Sequence, residues 1–323
     1  MGNNHTNIVY KLDPTSNSLV SSPIDGVLLL DKPIGLSSNY ALTCAKRLLK
    51  VKKAGHTGTL DPLASGLLPL CFGEATKFSQ NLLHANKTYD ATLKLGVSTT
   101  TDDAEGEVLK TRPVTCDRIA VHSALMAFRG PIMQVPPMYS ALKRNGKPLY
   151  VYARAGHTLE REARSVTIYA LECITCVLGA VASITIRITC SKGTYIRALA
   201  RDIGEILGCG AHLAMLRRTS VGELSLTDAV TLNRLSNLDR QQRLSYLQPI
   251  DALLSKFELI NLDNEMAKRF INGQRLRLAN KPSVSENDRV KVYNSDKNRL
   301  IGIGRWQSGV LFPERLLSTF RYY

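Results

Sequence analysis

The chain has 323 residues, 44% of them hydrophobic, with 42 Lys and Arg against 27 Asp and Glu for a formal charge of +15. That is globular composition with apolar material for one large domain and a smaller companion, at roughly 100–200 residues per domain, and it excludes a disordered tail or a disulfide mini-protein. The cationic excess calls for a polyanionic partner, and nucleic acid leads over an anionic membrane because the cations form separate clusters rather than a basic amphipathic helix at a terminus.

No run of about 18 apolar residues occurs, and MGNNHTNIVYKLDPTSNSLV lacks the basic start and apolar core of a signal peptide. The expectation is a soluble, unexported, cytoplasmic protein without a membrane partner. Seven cysteines are scattered at Cys44, Cys71, Cys116, Cys173, Cys176, Cys190 and Cys209, which suits reduced thiols.

Residues 1–24 are rich in Asn, Ser and Thr and read as an extended or disordered lead-in. Val27 to Leu30 form a buried strand that ends at the Asp31-Lys32-Pro33 breaker. Ser37 or Ser38 then caps a helix with Ala41, Leu42, Ala45, Leu48 and Leu49 at helical spacing, and KRLLKVKK follows. AGHTGTLDPLASGLLPLCFGEATK reads as a loop that re-enters structure near Leu67, before a helix carrying Phe78, Leu82 and Leu83. TYDATLKLG is a strand with Tyr89, Ala91, Leu93 and Leu95 on one face, and TTTDDAEGE is a polar loop. A helix from about Asp117 to Phe128 precedes a basic, Tyr-rich insertion.

Residues 164–177 and 181–190 pair as strands whose face alternation favours an antiparallel sheet. In SKGTYIRALARDIGEILGCG, Ile196, Leu199, Ala200, Ile203, Ile206 and Leu207 make one helical stripe, with Arg197 and Arg201 off it. After about residue 250, RVKVY, RLIGIGRW and GVLFPERLL form a small β module.

The most informative stretch is GHTGTLDPLASG, residues 55–66. Its glycines let backbone approach a ligand, and Pro62 restricts Asp61 to extended conformations, which sets the angle of a carboxylate able to act as nucleophile or base. The same residues also suit an Asp-Pro turn that bonds its own backbone, and the loop alone does not choose. The CxxC of Cys173 and Cys176 has no second CxxC and no nearby histidine pair, so the two read as buried small residues rather than zinc ligands. No nucleotide-binding loop occurs. No metal and no cofactor is expected.

In chain order, GVLLLDKPIGLSS, KKAGHTGTLDPLASGLLPLCFGEATK, NKTYDATLKLG, VPPMYSALK and SKGTYIRALARDIGEILGCGAHLAMLRR resemble the TruB family of tRNA pseudouridine synthases. The likeness covers residues 25 to about 250. RFINGQRLRL, RVKVY, LIGIG and VLFPERLL are similar to the PUA-like domain that ends many members. The resemblance implies a mixed α/β (α+β) pseudouridine synthase fold, with a largely antiparallel central sheet flanked by helices. It implies a catalytic domain over 25–250 with an RNA-gripping insertion at about 134–170, and a PUA-like RNA-binding domain over 251–323. The implied activity converts uridine to pseudouridine at position 55 of the TΨC loop.

Residue by residue, the resemblance makes Asp61 the catalytic carboxylate, which either attacks C1′ or takes a proton from C2′ to give a glycal. Arg197 is its cationic partner. Tyr89 is the third catalytic residue the resemblance implies, stacking on the target base and helping to remove the C5 proton, although periodicity alone places it in the core. Extruding a stacked nucleotide needs compensating contacts, for which His56 fills the vacated place and Leu216 lines the base pocket. Lys32, Pro33, Gly55, Thr57, Gly58, Lys52 and Lys53 complete the expected substrate-binding set. KRLLKVKK, the group Lys143, Arg144 and Lys147, and the pair Arg217 and Arg218 suit phosphate contacts. The implied partner is the T-arm and elbow of tRNA, engaged by a monomer with no obligate protein partner. A guide-RNA-dependent enzyme of the dyskerin type and a non-catalytic tRNA-folding chaperone stand as the two alternatives.

Overall fold

The computed structural model describes residues 24–278 and 284–318, so the expected lead-in lies outside the described residues except for its last position. β1 (Gly26–Lys32) contains the expected apolar run. Leu28 and Leu30 enter one core cluster and Val27 and Leu29 another. Both faces of the strand are covered, which is why its apolar run is continuous rather than alternating. α1 (Ser38–Leu49) is capped by Ser37, whose side chain accepts from the Tyr40 N–H at 3.2 Å, and Lys50 ends it in the left-handed region at φ 54°. Its whole expected stripe is buried, and each such leucine contributes roughly 1.5–3 kcal/mol.

β2 (Ala54–His56) and β3 (Ala64–Phe72) pair antiparallel and bracket the loop 57–63. The chain thus regains structure at Ala64 rather than near Leu67. The cause is a parallel pairing of 64–66 with 216–218, a contact that local sequence does not display. The expected helix around Phe78 is a 3-10 turn, Gly73–Phe78, and a single α-turn, Gln80–Leu83, that leaves Leu83 exposed.

β4 (Lys87–Leu95), α2 (Arg118–Ala127), β5 (Gly130–Gln134), β6 (Arg164–Val177), β7 (Ser183–Cys190), α3 (Ile196–Ile206), β8 (Ala211–Val221) and β9 (Val230–Thr231) complete the larger unit. The eleven-stranded sheet runs β9-β1-β3-β8-β4-β7-β6-β5, with β2 and two short strands attached beside this path. Pairs β1–β9 and β3–β8 are parallel and the other neighbours along the path antiparallel, so the sheet is largely antiparallel. α3 buries Ile196, Leu199, Ala200 and Ile203, whereas Ile206 is exposed and Arg197, off the stripe, is buried. Between β5 and β6 the insertion carries a hairpin whose Asn145 and Gly146 both have positive φ, the geometry that Asn-Gly favours.

Cys173 is exposed and Cys176 half-buried, against the expectation of buried residues. Pairing of β6 with β5 stops at Ile168, which leaves the rest of β6 open on one side. The C-terminal β module comprises β10 (Glu258–Leu262), α4 (Asn264–Ile271), β11 (Leu276–Arg277), β12 (Arg289–Asn294), β13 (Arg299–Gln307) and β14 (Val310–Leu316), in sheet order β10-β12-β13-β14-β11. Phe270, Val292, Ile301 and Trp306 centre its core, while Leu300, Ile303 and Leu317 pack with Val27, Leu29 and Phe78 of the larger unit. Among the described residues no helix is long and apolar enough to cross a membrane.

Candidate active site

Asp61 sits in the loop between β2 and β3, and its neighbours are tied down on every side. Leu60 is buried and both its backbone groups bond the Ser38 hydroxyl. The Pro62 carbonyl accepts from the Gly35 N–H at 2.8 Å, and the Asp61 carbonyl from the Ala64 N–H at 3.1 Å. The Asp61 carboxylate still keeps 45% of its side chain exposed. A carboxylate fixed at its root and open at its tip can meet a substrate without first being ordered.

Arg197, two residues beyond the Tyr195 N-cap of α3, reaches Asp61 Oδ2 at 3.0 Å with Nη2 and Asp103 Oδ2 at 3.4 Å with Nη1. It also donates to the carbonyls of Tyr139 at 2.8 Å and Thr101 at 3.3 Å. Arg197 and Asp103 are 7% and 4% exposed in their side chains, so the guanidinium is a buried charge shared between two carboxylates, a geometry that a rigid fork of donors serves and an ammonium does not. Asp103 is held in turn by Thr101 Oγ1 and the Glu105 N–H, and its loop bonds the backbone of Leu213 in β8. One helical turn on, Arg201 pairs with Asp102 at 3.1 Å and Asp202 at 2.9 Å.

The strand register sets the floor. Gly66, Arg218 and Tyr89 lie in one row across β3, β8 and β4, and Ala64, Leu216 and Ala91 in the next row of the same face. Tyr89 and Leu216 both pack against the two main core clusters, at the seam between them. Burial pushes the Tyr89 phenol above its ordinary value, with Arg218 acting the other way. Gly66 (φ +98°) lets β3 approach β8, since a Cβ there would lie 2.3 Å from the Arg218 carbonyl oxygen.

Arg218 is buried, donating to the carbonyls of Leu67 at 2.7 Å and Gly58 at 3.1 Å, so it braces the Asp61 loop and does not face phosphate. Arg217 bonds Asp31 at 2.8 Å. Arg218 differs from the phosphate role expected of it, because its side chain lies beneath the loop, whereas Arg217, the next residue along the strand, points to the opposite face and keeps 43% of its side chain exposed. Lys32 departs likewise from a direct substrate contact. It is fully enclosed, with Nζ on the carbonyls of Pro33 at 2.9 Å and Leu36 at 2.7 Å, and burial lowers it to about 8 while the charge of Asp61 acts to raise it. Pro33 is half-buried beside it.

Gly55 lies in β2, and His56 follows it with Nδ1 buried. Burial, and then the charge of Arg218, lower the imidazole below its ordinary value. Thr57 is fully buried; its Oγ1 and His56 Nδ1 have no hydrogen-bond partner among the described residues. Gly58 turns the loop at φ +82°. Lys52 and Lys53 are exposed at the mouth of β2, as are Lys143, Arg144 and Lys147 on the insertion hairpin. Among the described residues no group of three or more His, Cys, Asp or Glu converges as metal ligands would.

Four participants escaped sequence reasoning: Asp103, Asp102, Ser38 in its observed role, and Gln134, whose side chain bonds the Tyr195 backbone. One signal was present. Arg197 and Arg201, four apart on the polar face of a helix, match the adjacent pair Asp102 and Asp103 in a polar loop.

The description "TruB family pseudouridylate synthase (N terminal domain)" matches residues 46–196, "tRNA pseudouridylate synthase B C-terminal domain" 197–255, and "Pseudouridine synthase II TruB, C-terminal" 259–317. A protein of Burkholderia lata named tRNA pseudouridine synthase B is 65% identical, covering 92% of this chain and 91% of its own. One of the same name from Cupriavidus taiwanensis is 59% identical, covering 91% and 95%. Among solved structures, an H/ACA RNP bound to a substrate RNA containing 2′-deoxyuridine superposes with TM-score 0.70 at 23% identity, covering 92% of this chain and 86% of that one. The Nop10–Cbf5 complex of an archaeal box H/ACA sRNP gives 0.67 at 24%, covering 90% and 85%. These two likenesses concern the fold.

Proposed function

The chain belongs to the TruB family of pseudouridylate synthases and isomerises uridine to pseudouridine in tRNA; on that premise we propose that its target is the TΨC-loop uridine at position 55, that it acts as a single chain without guide RNA, and that Asp61 carries the chemistry. The supporting observation is the accessible Asp61 carboxylate paired at 3.0 Å with a buried Arg197, beside a floor that includes Tyr89 and Leu216.

The reaction breaks N1–C1′ and forms C5–C1′. C5 gives its proton to solvent and N1 takes one up, so the substrate gains and loses no atoms. Asp61 has two routes. Its oxygen bonds C1′ and is later displaced by C5, or it removes a C2′ proton to give a glycal and returns it. Arg197 orients the carboxylate in both. The target base must leave its stack to reach Asp61. Tyr89 enters as a neutral phenol, suited to stack on the base, and Leu216 lines the other edge of the pocket. His56, held neutral, suits stacking in the vacated place better than pairing with phosphate. Lys52 and Lys53, with the insertion cations Lys143, Arg144 and Lys147, contact the backbone of the T-arm. Lys32, Gly58 and Arg218 act on the substrate only by shaping the loops around Asp61.

The division into a catalytic unit over 25–250 and a PUA-like RNA-binding unit over 251–323 belongs to the same proposal, as do a monomeric state, a cytoplasmic location and the need for no cofactor. Incubation of purified protein with an unmodified tRNA transcript, followed by carbodiimide mapping, tests it. One modified uridine in the T-loop, formed without guide RNA or added metal, is the expected result. Modification elsewhere, or only with a guide, overturns the target or the stand-alone reading.

A further inference from the structure

The 3.0 Å contact between Asp61 and Arg197 joins a loop to a helix, and each side is secured by one buried polar side chain of the same design. Ser38, the first residue of α1, places Oγ between the two backbone groups of Leu60, accepting from its N–H at 2.8 Å and donating to its carbonyl at 2.9 Å. Leu60 precedes Asp61. Gln134, the last residue of β5, does the same to Tyr195, accepting from its N–H at 2.8 Å through Oε1 and donating to its carbonyl at 3.0 Å through Nε2. Tyr195 is the N-cap of α3 and stands two residues before Arg197, and its own side chain does not cap the helix.

Both Ser38 and Gln134 are 2% exposed. Ser38 is not needed to cap α1, because Ser37 does so, and Gln134 lies where the insertion leaves the sheet. A side chain that takes both groups of one residue leaves that backbone a single position, whereas its loss orphans two buried polar groups at once.

We infer that Ser38 and Gln134 are positioning residues that set the separation of Asp61 and Arg197 from opposite sides. The inference rests on the reading of Asp61 and Arg197 as the reacting pair. A displacement near 1 Å at a reacting group can cost about 100-fold in rate, so each clasp acts on the chemical step and not on tRNA affinity. Once one clasp is lost the pair already drifts, and losing the other adds less. Stability behaves differently, because the clasps share no partner and their losses add.

The test uses the full chain with Ser38→Ala, Gln134→Ala and the double variant, measured for single-turnover pseudouridine formation, tRNA Kd and thermal unfolding. The expected result is a rate loss of about 10- to 100-fold in each single variant, Kd within about 3-fold, and a double variant whose rate loss is well short of the product of the two. Rates within about 2-fold of wild type in folded protein, losses that appear in Kd instead, or rate losses that multiply in full overturn the inference. Should an alanine variant not fold, Ser38→Cys and Gln134→Met, which fill similar space while weakening or removing the hydrogen bonds, are judged by the same criteria. A wild type that forms no product overturns the underlying function instead.

Discussion

At the residue scale, the candidate site is an arrangement of charges that burial makes expensive to disturb. Lys32 shows the consequence for pH. In the unfolded chain it holds its proton up to about its ordinary 10.5, and in the fold only to about 8, because burial penalises the ammonium. Between those values the unfolded state binds more protons, so the contribution of Lys32 to stability rises with pH across that window and is lowest below 8. Denaturant unfolding from pH 8 to 10 should therefore show a rise in wild type on the order of 2–3 kcal/mol larger than in Lys32→Met. Parallel curves would count against it. Subtracting the variant removes the similar contribution of Lys87, also lowered to about 8 by burial and by Arg218. The meeting of Asp61 with Arg197 was legible from the sequence because the motifs that carry them are long and ordered. The inward directions of Lys32 and Arg218 were not, since a cation in a motif looks the same whether it faces phosphate or a carbonyl beneath the loop.

At the element scale, the loop that holds Asp61 depends on how β3 meets β8. Gly66 is the point of closest approach, with a left-handed φ and the Arg218 backbone where a Cβ would go. Gly66→Ala should cost about 3 kcal/mol or more, read by urea unfolding, and lower turnover as well, because the same three residue pairs align Leu216 and Arg218 with the loop. A loss under about 1 kcal/mol would mean the pairing tolerates a shift. Elements with a strong local period, such as α1, α2, β4 and β6–β7, were readable to within a few residues. The three-residue β2, the start of β3 and the edge strand β5 were not, because distant pairing and not local period creates them. The buried position of Arg197 shows the same limit in a helix. Amphipathic spacing places it toward solvent, but four carbonyl or carboxylate partners from other parts of the chain enclose it.

At the scale of the whole molecule, a large mixed sheet carries the site and a five-stranded module is fastened to it by a shared apolar cluster. The +15 charge belongs to this scale too, as a field that gathers tRNA and orders no single contact. The change of pattern near residue 250 and the alternation of the strands were visible in the sequence, and the fold class rested on that alternation together with the family resemblance. The second carboxylate on Arg197 was not legible there, because Asp103 and Arg197 come from a loop and a helix end that only the folded sheet brings together.

The central claim is that Asp61 performs the isomerisation while the rest of the chain binds and presents tRNA. The most direct measurement is release of tritium from C5 of uridine-labelled tRNA by wild type and by Asp61→Asn, with tRNA binding measured on both. Release by wild type alone, a loss of at least about 1000-fold in the variant, and similar affinity for tRNA in the two are the expected results. Comparable release by Asp61→Asn would contradict the claim, and so would the absence of release from wild type that binds tRNA tightly.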